Sequence, residues 1–270
     1  MFIGIFNFLC GVGLALGGSL GFWPVRSGLD FYIPIVLFLA GYIGGIAICW
    51  ITVDIIGRFL SLNKEPKKIS KLARFIMTDA MRYINFLALA RVEVKGKNKL
   101  PKNERFLFVQ NHTSRFDPMV VNAFLPKYDI AFITKPGNYK IPLAKRLMPR
   151  LFYQAIDRED PIQSLGVMKN SIELIQNNVT SVGVYPEGTR HGDSVLGEFH
   201  EGVFSICIKA KCPLVISTIK NANMIHKNYP FKITRVTLEI VQVIPYELME
   251  GKTAKQLSDE VHEIMQNNLK

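Results

Sequence analysis

The sequence predicts an α/β fold, in which helices cover a mixed sheet, preceded by an N-terminal transmembrane helical hairpin. From residue 92 onward, short apolar runs with strand character alternate with helical patterns, which is typical of an α/β domain. Two long apolar stretches, residues 2–22 and 31–53, come before this part of the chain. Each has the length of a membrane-spanning helix, which needs about 20 predominantly apolar residues.

Three regions follow from this pattern. Residues 1–54 are predicted to form the membrane hairpin, residues 55–91 a basic helical segment next to the membrane, and residues 92–270 the catalytic domain. Glycines recur at every fourth position in both apolar stretches, which favours close helix approach; alternatively, glycine is simply common in membrane helices. The glycines concerned are Gly13, Gly17 and Gly21, and Gly41 and Gly45.

Charge is distributed unevenly along the chain. The net charge is +11, but residues 1–53 contain only Arg26 and Asp30 as charged side chains. Basic residues follow the second stretch, so the positive-inside rule places both termini in the cytoplasm and the catalytic domain on the cytoplasmic face of the cell membrane. The excess positive charge suggests anionic partners such as membrane phospholipids. We expect no nucleic-acid partner, since no basic motif with stacking aromatic residues occurs.

The regions after the hairpin divide into predicted elements. Residues 69–91 show helical periodicity, and this helix is expected either to lie on anionic headgroups or to pack on the main domain. The predicted strands are 92–95, 106–109, 130–134, 151–156, 181–185, 214–219 and 236–243. The predicted helices are 118–125, 141–148, 161–177, 203–211 and 254–268. Four cysteines without metal-ligand spacing are interpreted as reduced thiols of an intracellular protein.

The segment NHTSRFD, residues 111–117, directly follows a predicted strand, and strand ends are where open α/β sheets place their sites. Asp117 precedes Pro118, which favours the helix-cap position for Asp117. A carboxylate close to His112 can hold the imidazole in one tautomer, and His112 can then act as a general base. The alternative is a simple cap and a turn histidine. Ser114 lacks the glycine-flanked elbow of a nucleophilic serine.

The segment YPEGTR, residues 185–190, follows another predicted strand. Gly188 permits a tight turn, and the planar fork of Arg190 suits a phosphate group. Glu187 is expected to order a substrate hydroxyl or to pair with Arg190. Taken alone, the segment is equally compatible with a turn between strand and helix that carries a surface ion pair.

The chain resembles the membrane-bound glycerolipid acyltransferases. Four blocks match the family's motifs in order, at residues 111–118, 155–158, 185–190 and 212–216. By this resemblance His112 and Asp117 are the expected catalytic pair. The expected substrate-binding residues are Arg158, Glu187, Gly188, Thr189 and Arg190. The segment 198–202 is less basic than is usual in the family, which leaves the acceptor open.

The resemblance implies transfer of a fatty acyl group from acyl-CoA or acyl carrier protein to the free hydroxyl of lysophosphatidic acid, which gives phosphatidic acid. No metal and no cofactor is expected, because the thioester is a co-substrate, and no residues are assigned to its binding. One alternative is the same chemistry on another lysophospholipid or an amino-acid-derived lipid. Another is a catalytically silent, membrane-tethered lipid-binding protein, against which the intact His112 and Asp117 argue.

Overall fold

The computed structural model describes residues 1–22, 30, 32–61, 66–157, 159–191 and 195–270. The chain divides into two compact units, Met1–Lys64 and Glu65–Lys270. The smaller unit contains the apolar helices, and the larger one contains the sheet and both motifs.

The first unit is a pair of apolar helices. Helix α1, Phe2–Gly17, continues as a π-helical turn, Gly18–Phe22, and helix α2 is Tyr32–Ser61. Helix α2 therefore continues past residue 54. By length and composition alone, both helices are able to span a membrane. The predicted link between them lies outside the described residues except for Asp30.

Helices α1 and α2 pack against each other along glycines of α2. A Cβ atom at Gly41 would lie 2.5 Å from the carbonyl oxygen of Cys10, and one at Gly45 would lie 3.1 Å from Asn7. These positions need glycine because the backbone of the partner helix occupies the space of a side chain. The prediction of close helix approach is thus confirmed for the second stretch.

The prediction is wrong for the glycines of the first stretch. Among the described residues, a Cβ atom at Gly13, Gly17 or Gly21 would meet nothing within 4 Å outside the backbone of its own helix. Gly11 and Gly18 of the first stretch contact α2 instead, since their added Cβ atoms would collide with Phe38 and Leu37. Spacing alone does not show which side of a helix faces its partner.

The second unit is built around a seven-stranded mixed sheet with the order β1-β7-β6-β2-β5-β3-β4. Strands β2 to β6 are parallel to one another, whereas β7 runs antiparallel to β6 and parallel to β1. The strands are β1 Ala90–Lys95, β2 Leu107–Gln110, β3 Ile130–Thr134, β4 Gln154–Ala155, β5 Ser181–Val184, β6 Leu214–Lys220 and β7 Thr234–Ile244. The predicted α/β class with a mixed sheet is confirmed.

Helices cover the sheet, as predicted. They are α3 Lys71–Leu87, α4 Asp117–Phe124, α5 Pro142–Leu147, α6 Pro161–Gln176, α7 Ser205–Ala210, α8 Ile225–Asn228 and α9 Ala254–Leu269. Alternate residues of a strand face opposite sides of the sheet. Leu107 and Val109 of β2 therefore join one apolar core with residues of α6, α7 and α9, while Phe108 meets Phe132 edge-on at 6.2 Å.

Strand β4 is shorter than the predicted strand 151–156. Residues Pro149–Leu151 form a 3₁₀ turn, and Phe152 follows with the left-handed φ of 58°. An extended strand cannot pass through such a residue, so β4 contains only Gln154 and Ala155.

Helix α3 packs on the catalytic unit, which was one of two alternatives for this segment. The hydroxyl of Ser70 caps it by accepting a hydrogen bond from the backbone N–H of Ala73 at 3.2 Å. Ala73 and Ile76 are buried. Phe75 and Phe86 remain exposed, so this helix also presents apolar surface outside its buried side.

Candidate active site

Both motifs meet at the carboxyl edge of the sheet because β2 and β5 are parallel neighbours. The first motif follows Gln110, the last residue of β2, and the second follows Val184, the last residue of β5. Each strand is a fully buried run of four residues, which fixes the point at which the polar segments leave the core. The fold thus assembles the site from two distant parts of the sequence.

His112 and Asp117 form a hydrogen-bonded pair. Nδ1 of His112 lies 2.8 Å from Oδ2 of Asp117. The carboxylate side chain is completely buried, whereas 18% of the imidazole surface is exposed. An ionised carboxylate only accepts hydrogen bonds, so this contact holds Nδ1 protonated and leaves the lone pair on Nε2, for which the described residues supply no partner.

Asp117 also organises the loop between itself and His112. Its Oδ2 atom accepts hydrogen bonds from the backbone N–H groups of Thr113 at 2.7 Å and Ser114 at 2.8 Å. The Thr113 hydroxyl donates to Oδ1 at 3.2 Å. These donors satisfy the buried carboxylate oxygens and close the loop around them.

The prediction that Asp117 caps helix α4 is wrong. The helix begins at Asp117 itself, the cap residue is Phe116, and Phe116 forms no side-chain cap hydrogen bond. Pro118 follows at the start of the helix and has no N–H group to be capped. The carboxylate therefore points back to the preceding loop, where it contacts His112. The Ser114 hydroxyl accepts the Phe116 N–H at 3.2 Å, so it too takes part in the turn.

Glu187 holds the backbone of His112. Its Oε1 atom accepts the His112 N–H at 2.7 Å, and its Oε2 atom accepts the Gly197 N–H at 2.9 Å. Its side chain is only 1% exposed. Within the described part of the chain, this carboxylate forms no ion pair with Arg190, which was one of the two alternatives from the sequence. Since the His191 N–H donates to the His112 carbonyl at 2.9 Å, both backbone groups of His112 are fixed by the second motif.

Tyr185 supports the imidazole from one face. Its ring stacks on His112 with a centroid distance of 4.1 Å and an interplanar angle of 21°. Phe132 stacks on Tyr185 at 5.2 Å. Burial raises the pKa of the Tyr185 phenol well above 10.0, and the nearby carboxylate of Asp117 raises it further. Tyr185 therefore stays neutral and gives His112 an apolar wall.

The second motif opens to solvent after Gly188. Gly188 is buried and has a φ of 70°, which suits a glycine in a turn. Thr189 and Arg190 are exposed. The Thr189 hydroxyl lies 3.3 Å from Nε2 of His191, and the guanidinium of Arg190 has no partner among the described residues. Arg158, the other predicted phosphate contact, lies outside the described residues.

The sequence assigned no role to two contributors to the site, Asn111 and Gly197. The Asn111 carboxamide donates to the Ile219 carbonyl at 3.1 Å and accepts the Ile219 N–H at 2.7 Å. It therefore fastens the end of β2 to β6 and fixes the start of the His112 loop. Gly197 matters only through its backbone N–H, which no residue type reveals. Tyr185 belongs to the second motif, but its stacking on His112 was not predicted.

Comparison with known proteins finds similar chains among acyltransferases. Residues 91–220, which include both motifs, match the family model described as Acyltransferase. The chloroplastic 1-acyl-sn-glycerol-3-phosphate acyltransferase BAT2 of Brassica napus is 29% identical over 178 residues, which cover 66% of this chain and 50% of that protein. The 1-acyl-sn-glycerol-3-phosphate acyltransferase alpha of Ovis aries is 25% identical over 241 residues, 88% of this chain and 77% of that protein.

A solved structure supports the fold. The crystal structure of the 1-acyl-sn-glycerophosphate (LPA) acyltransferase PlsC from Thermotoga maritima superposes with a TM-score of 0.61 and 22% identity, covering 83% of this chain and 91% of that chain. The family model covers all four motif blocks, and the solved structure has the same fold. The chain is therefore similar to the family described as Acyltransferase and to proteins named 1-acyl-sn-glycerol-3-phosphate acyltransferase.

Proposed function

We propose that this protein transfers a fatty acyl group from acyl-CoA or acyl carrier protein to the free hydroxyl of lysophosphatidic acid. The observation that carries the proposal is the 2.8 Å contact between His112 Nδ1 and the buried carboxylate of Asp117. This contact leaves Nε2 with its lone pair on a partly exposed ring. The names of the Brassica and sheep relatives support the acceptor.

The reaction requires one group that acts first as a base and then as an acid. Nε2 of His112 takes the proton from the acceptor hydroxyl as its oxygen attacks the thioester carbonyl carbon. The new C–O bond forms, the C–S bond breaks, and the imidazolium returns the proton to the departing thiolate. Asp117 stabilises the imidazolium between these steps. Glu187 and the stacked ring of Tyr185 hold the imidazole in position while its charge changes.

The acceptor phosphate is assigned to Arg190, together with Arg158. The guanidinium of Arg190 is exposed and has no partner within the described part of the chain, which suits a group that binds a ligand. It follows the fixed part of the second motif by only three residues, so it lies on the same edge of the sheet as His112. A planar guanidinium binds two phosphate oxygens at once.

A panel of acceptors tests the proposal. Purified protein is assayed with lysophosphatidic acid, lysophosphatidylcholine and an amino-acid-derived lysolipid, each with acyl-CoA and with acyl carrier protein as donor. We expect the highest kcat/KM with lysophosphatidic acid and none for His112→Ala. Preference for another acceptor would replace the substrate and keep the reaction class. Absence of transfer to any acceptor would favour the silent lipid-binding protein.

We also propose that α1 and α2 insert in the cell membrane with both ends in the cytoplasm. Their length and apolar composition support insertion, and the basic residues after α2 support the orientation. Lys102, which is exposed in the second unit, offers a cytoplasmic position that spares the cap residue Ser70. In a variant with Cys10→Ser and Cys49→Ser, an impermeant thiol reagent on intact cells should label Ser27→Cys and not Lys102→Cys. The reverse pattern would overturn the orientation.

A further inference from the structure

A second charged region lies at the amino edge of the sheet, opposite the His112 site. A cavity of about 560 Å³ opens there. Among its walls are Arg105, which precedes β2, Asp129, which precedes β3, and Asn178, which precedes β5. Because these strands are parallel, the cavity and His112 lie at opposite strand ends. The six residues between Arg105 and His112 span about 20 Å when extended.

Positive charge dominates this cavity. Its walls contain one carboxylate, Asp129, and six basic side chains, Lys67, Lys68, Lys71, Arg74, Arg82 and Arg105. Nε of Arg74 lies 3.2 Å from Oδ1 of Asp129, and Nη1 of Arg105 lies 3.6 Å from Oδ2. Two guanidinium groups therefore share a single carboxylate, and the remaining positive charge is not neutralised by any described acidic residue of the wall.

Arg74 is the strongest indication of a ligand site. Its residue is only 8% exposed, and Nη1 donates to Asn122 at 3.1 Å. Its Nη2 atom is buried without a hydrogen-bond partner among the described residues, as is the hydroxyl oxygen of Thr78, another residue of the cavity wall. Buried donors without partners are costly, and an unbalanced buried charge is more so. An anion in the cavity reduces this cost.

The lysines extend the positive region to the mouth of the cavity. Lys67, Lys68 and Lys71 are exposed, and the described residues include no partner for their ammonium groups. Phe75, which is 51% exposed, also lines the cavity and adds an apolar surface beside the charges. Arginine forks and lysine ammonium groups together are typical of phosphate recognition, and the adjacent apolar surface suits an acyl chain.

We propose that this cavity is an anion site that binds a phosphate group, separate from the acceptor site at Arg190. The phosphate is that of an anionic membrane lipid headgroup or a free phosphate ion, since both present the same oxygens. A phosphate group bound in the cavity balances the positive charge of Arg74 and Arg105.

Calorimetric titration of the full-length protein in neutral detergent micelles tests the site. The probes are dioctanoyl phosphatidylglycerol, as a short-chain anionic lipid, and inorganic phosphate. The cavity variant is Lys67→Gln, Lys68→Gln, Lys71→Gln. The matched control, Lys227→Gln, Lys232→Gln, Lys255→Gln, removes the same charge from exposed lysines outside the cavity wall. Arg105→Gln serves as a second cavity variant, and Arg190→Ala reports on the acceptor site.

We expect the cavity variant to bind the probe about tenfold more weakly or worse, Arg105→Gln to be weakened as well, and the control and Arg190→Ala to bind like the parent. Binding of the lipid alone identifies a headgroup site, and displacement of the lipid by phosphate identifies a free-phosphate site. Parent-like binding by both cavity variants, equal loss in the control, or loss in Arg190→Ala would overturn the proposal. Acyltransferase activity, measured in parallel, is expected to persist in the cavity variant and judges the proposed function separately.

Discussion

The two loops that form the site differ in how they are held. The loop of residues 111–117 is closed on itself, because Asp117 accepts hydrogen bonds from His112, Thr113 and Ser114. The loop of residues 185–191 is fixed at Glu187 and again at His191, whose N–H donates to the His112 carbonyl, and between these points it exposes Thr189 and Arg190. Under the proposed function, the closed loop carries the proton transfer and the exposed part of the second loop binds the acceptor. Substitutions in the two loops should therefore affect different kinetic constants.

The largest effect is expected for His112→Ala, because it removes the general base. Loss of such a group lowers kcat by about a hundred- to ten-thousand-fold. The side chain contributes little to the apolar core, so the thermal midpoint should stay near that of the parent. Steady-state kinetics and a thermal melt of the same preparation check both statements. Near-normal turnover would remove His112 from the mechanism.

Asp117→Asn should rank second. The amide does not stabilise the imidazolium, so we expect kcat to fall about a hundredfold or more. The amide also places an NH₂ group among backbone donors in a fully buried position, which costs about 1–3 kcal/mol of folding free energy. Had Asp117 been a helix cap, asparagine would have preserved stability. Denaturant titration therefore separates loop closure from capping.

Asp117 shows which features of the site could be predicted from the sequence and which could not. The pairing of His112 with Asp117 was predictable, because the two are close in sequence and follow a recognisable strand. The direction of the carboxylate was not, since an aspartate before proline is compatible with capping the helix or with bonding back to the loop. The 3.3 Å hydrogen bond from the Asp117 N–H to the Ser114 carbonyl belongs to the turn that settles the choice.

Contacts between distant segments were the least predictable. Glu187 meets the His112 N–H only because β2 and β5 are neighbours in the sheet, and the order of strands is a property of the whole fold. The same holds for Gly11 and Gly18 in the hairpin, where the contact depends on the register of both helices. The fold class and most strand positions depend on local patterns, and these agreed with the structure, apart from the predicted strand 151–156.

Arg190→Ala tests the exposed part of the second loop. Loss of a guanidinium that binds phosphate should raise KM for lysophosphatidic acid about tenfold to a hundredfold, while kcat changes little. Arg190→Lys should restore only part of the affinity, because an ammonium group lacks the planar fork. An unchanged KM would show that the acceptor phosphate binds elsewhere, and a loss confined to kcat would move Arg190 into the chemical step.

Glu187→Gln tests the part of the second loop that is fixed. The amide keeps one acceptor oxygen, so either the His112 N–H or the Gly197 N–H loses its partner. We expect a loss of about 1–3 kcal/mol in unfolding free energy and a decrease in kcat of about tenfold, without a change in KM. Glu198→Gln, one carboxylate in a neighbouring stretch of the chain, is the control. A raised KM instead would indicate that Glu187 contacts the acceptor directly.

The smallest effect concerns the apolar core beside the sheet, where Cys207 and Cys212 are buried. Burial raises the pKa of each thiol from 9.0 to about 12, so the reactive thiolate is scarce at neutral pH. In a variant with Cys10→Ser and Cys49→Ser, we expect no reaction with a thiol reagent at about pH 8 until the protein is unfolded.

Because the pKa of each thiol is higher in the folded state, the stability contributed by the neutral thiols is present below pH 9.0 and is lost as the pH rises towards about 12. The thermal midpoint should therefore fall over that range, and Cys207→Ala with Cys212→Ala should reduce the decline. Rapid labelling of the folded protein near pH 8 would contradict the burial of the two thiols.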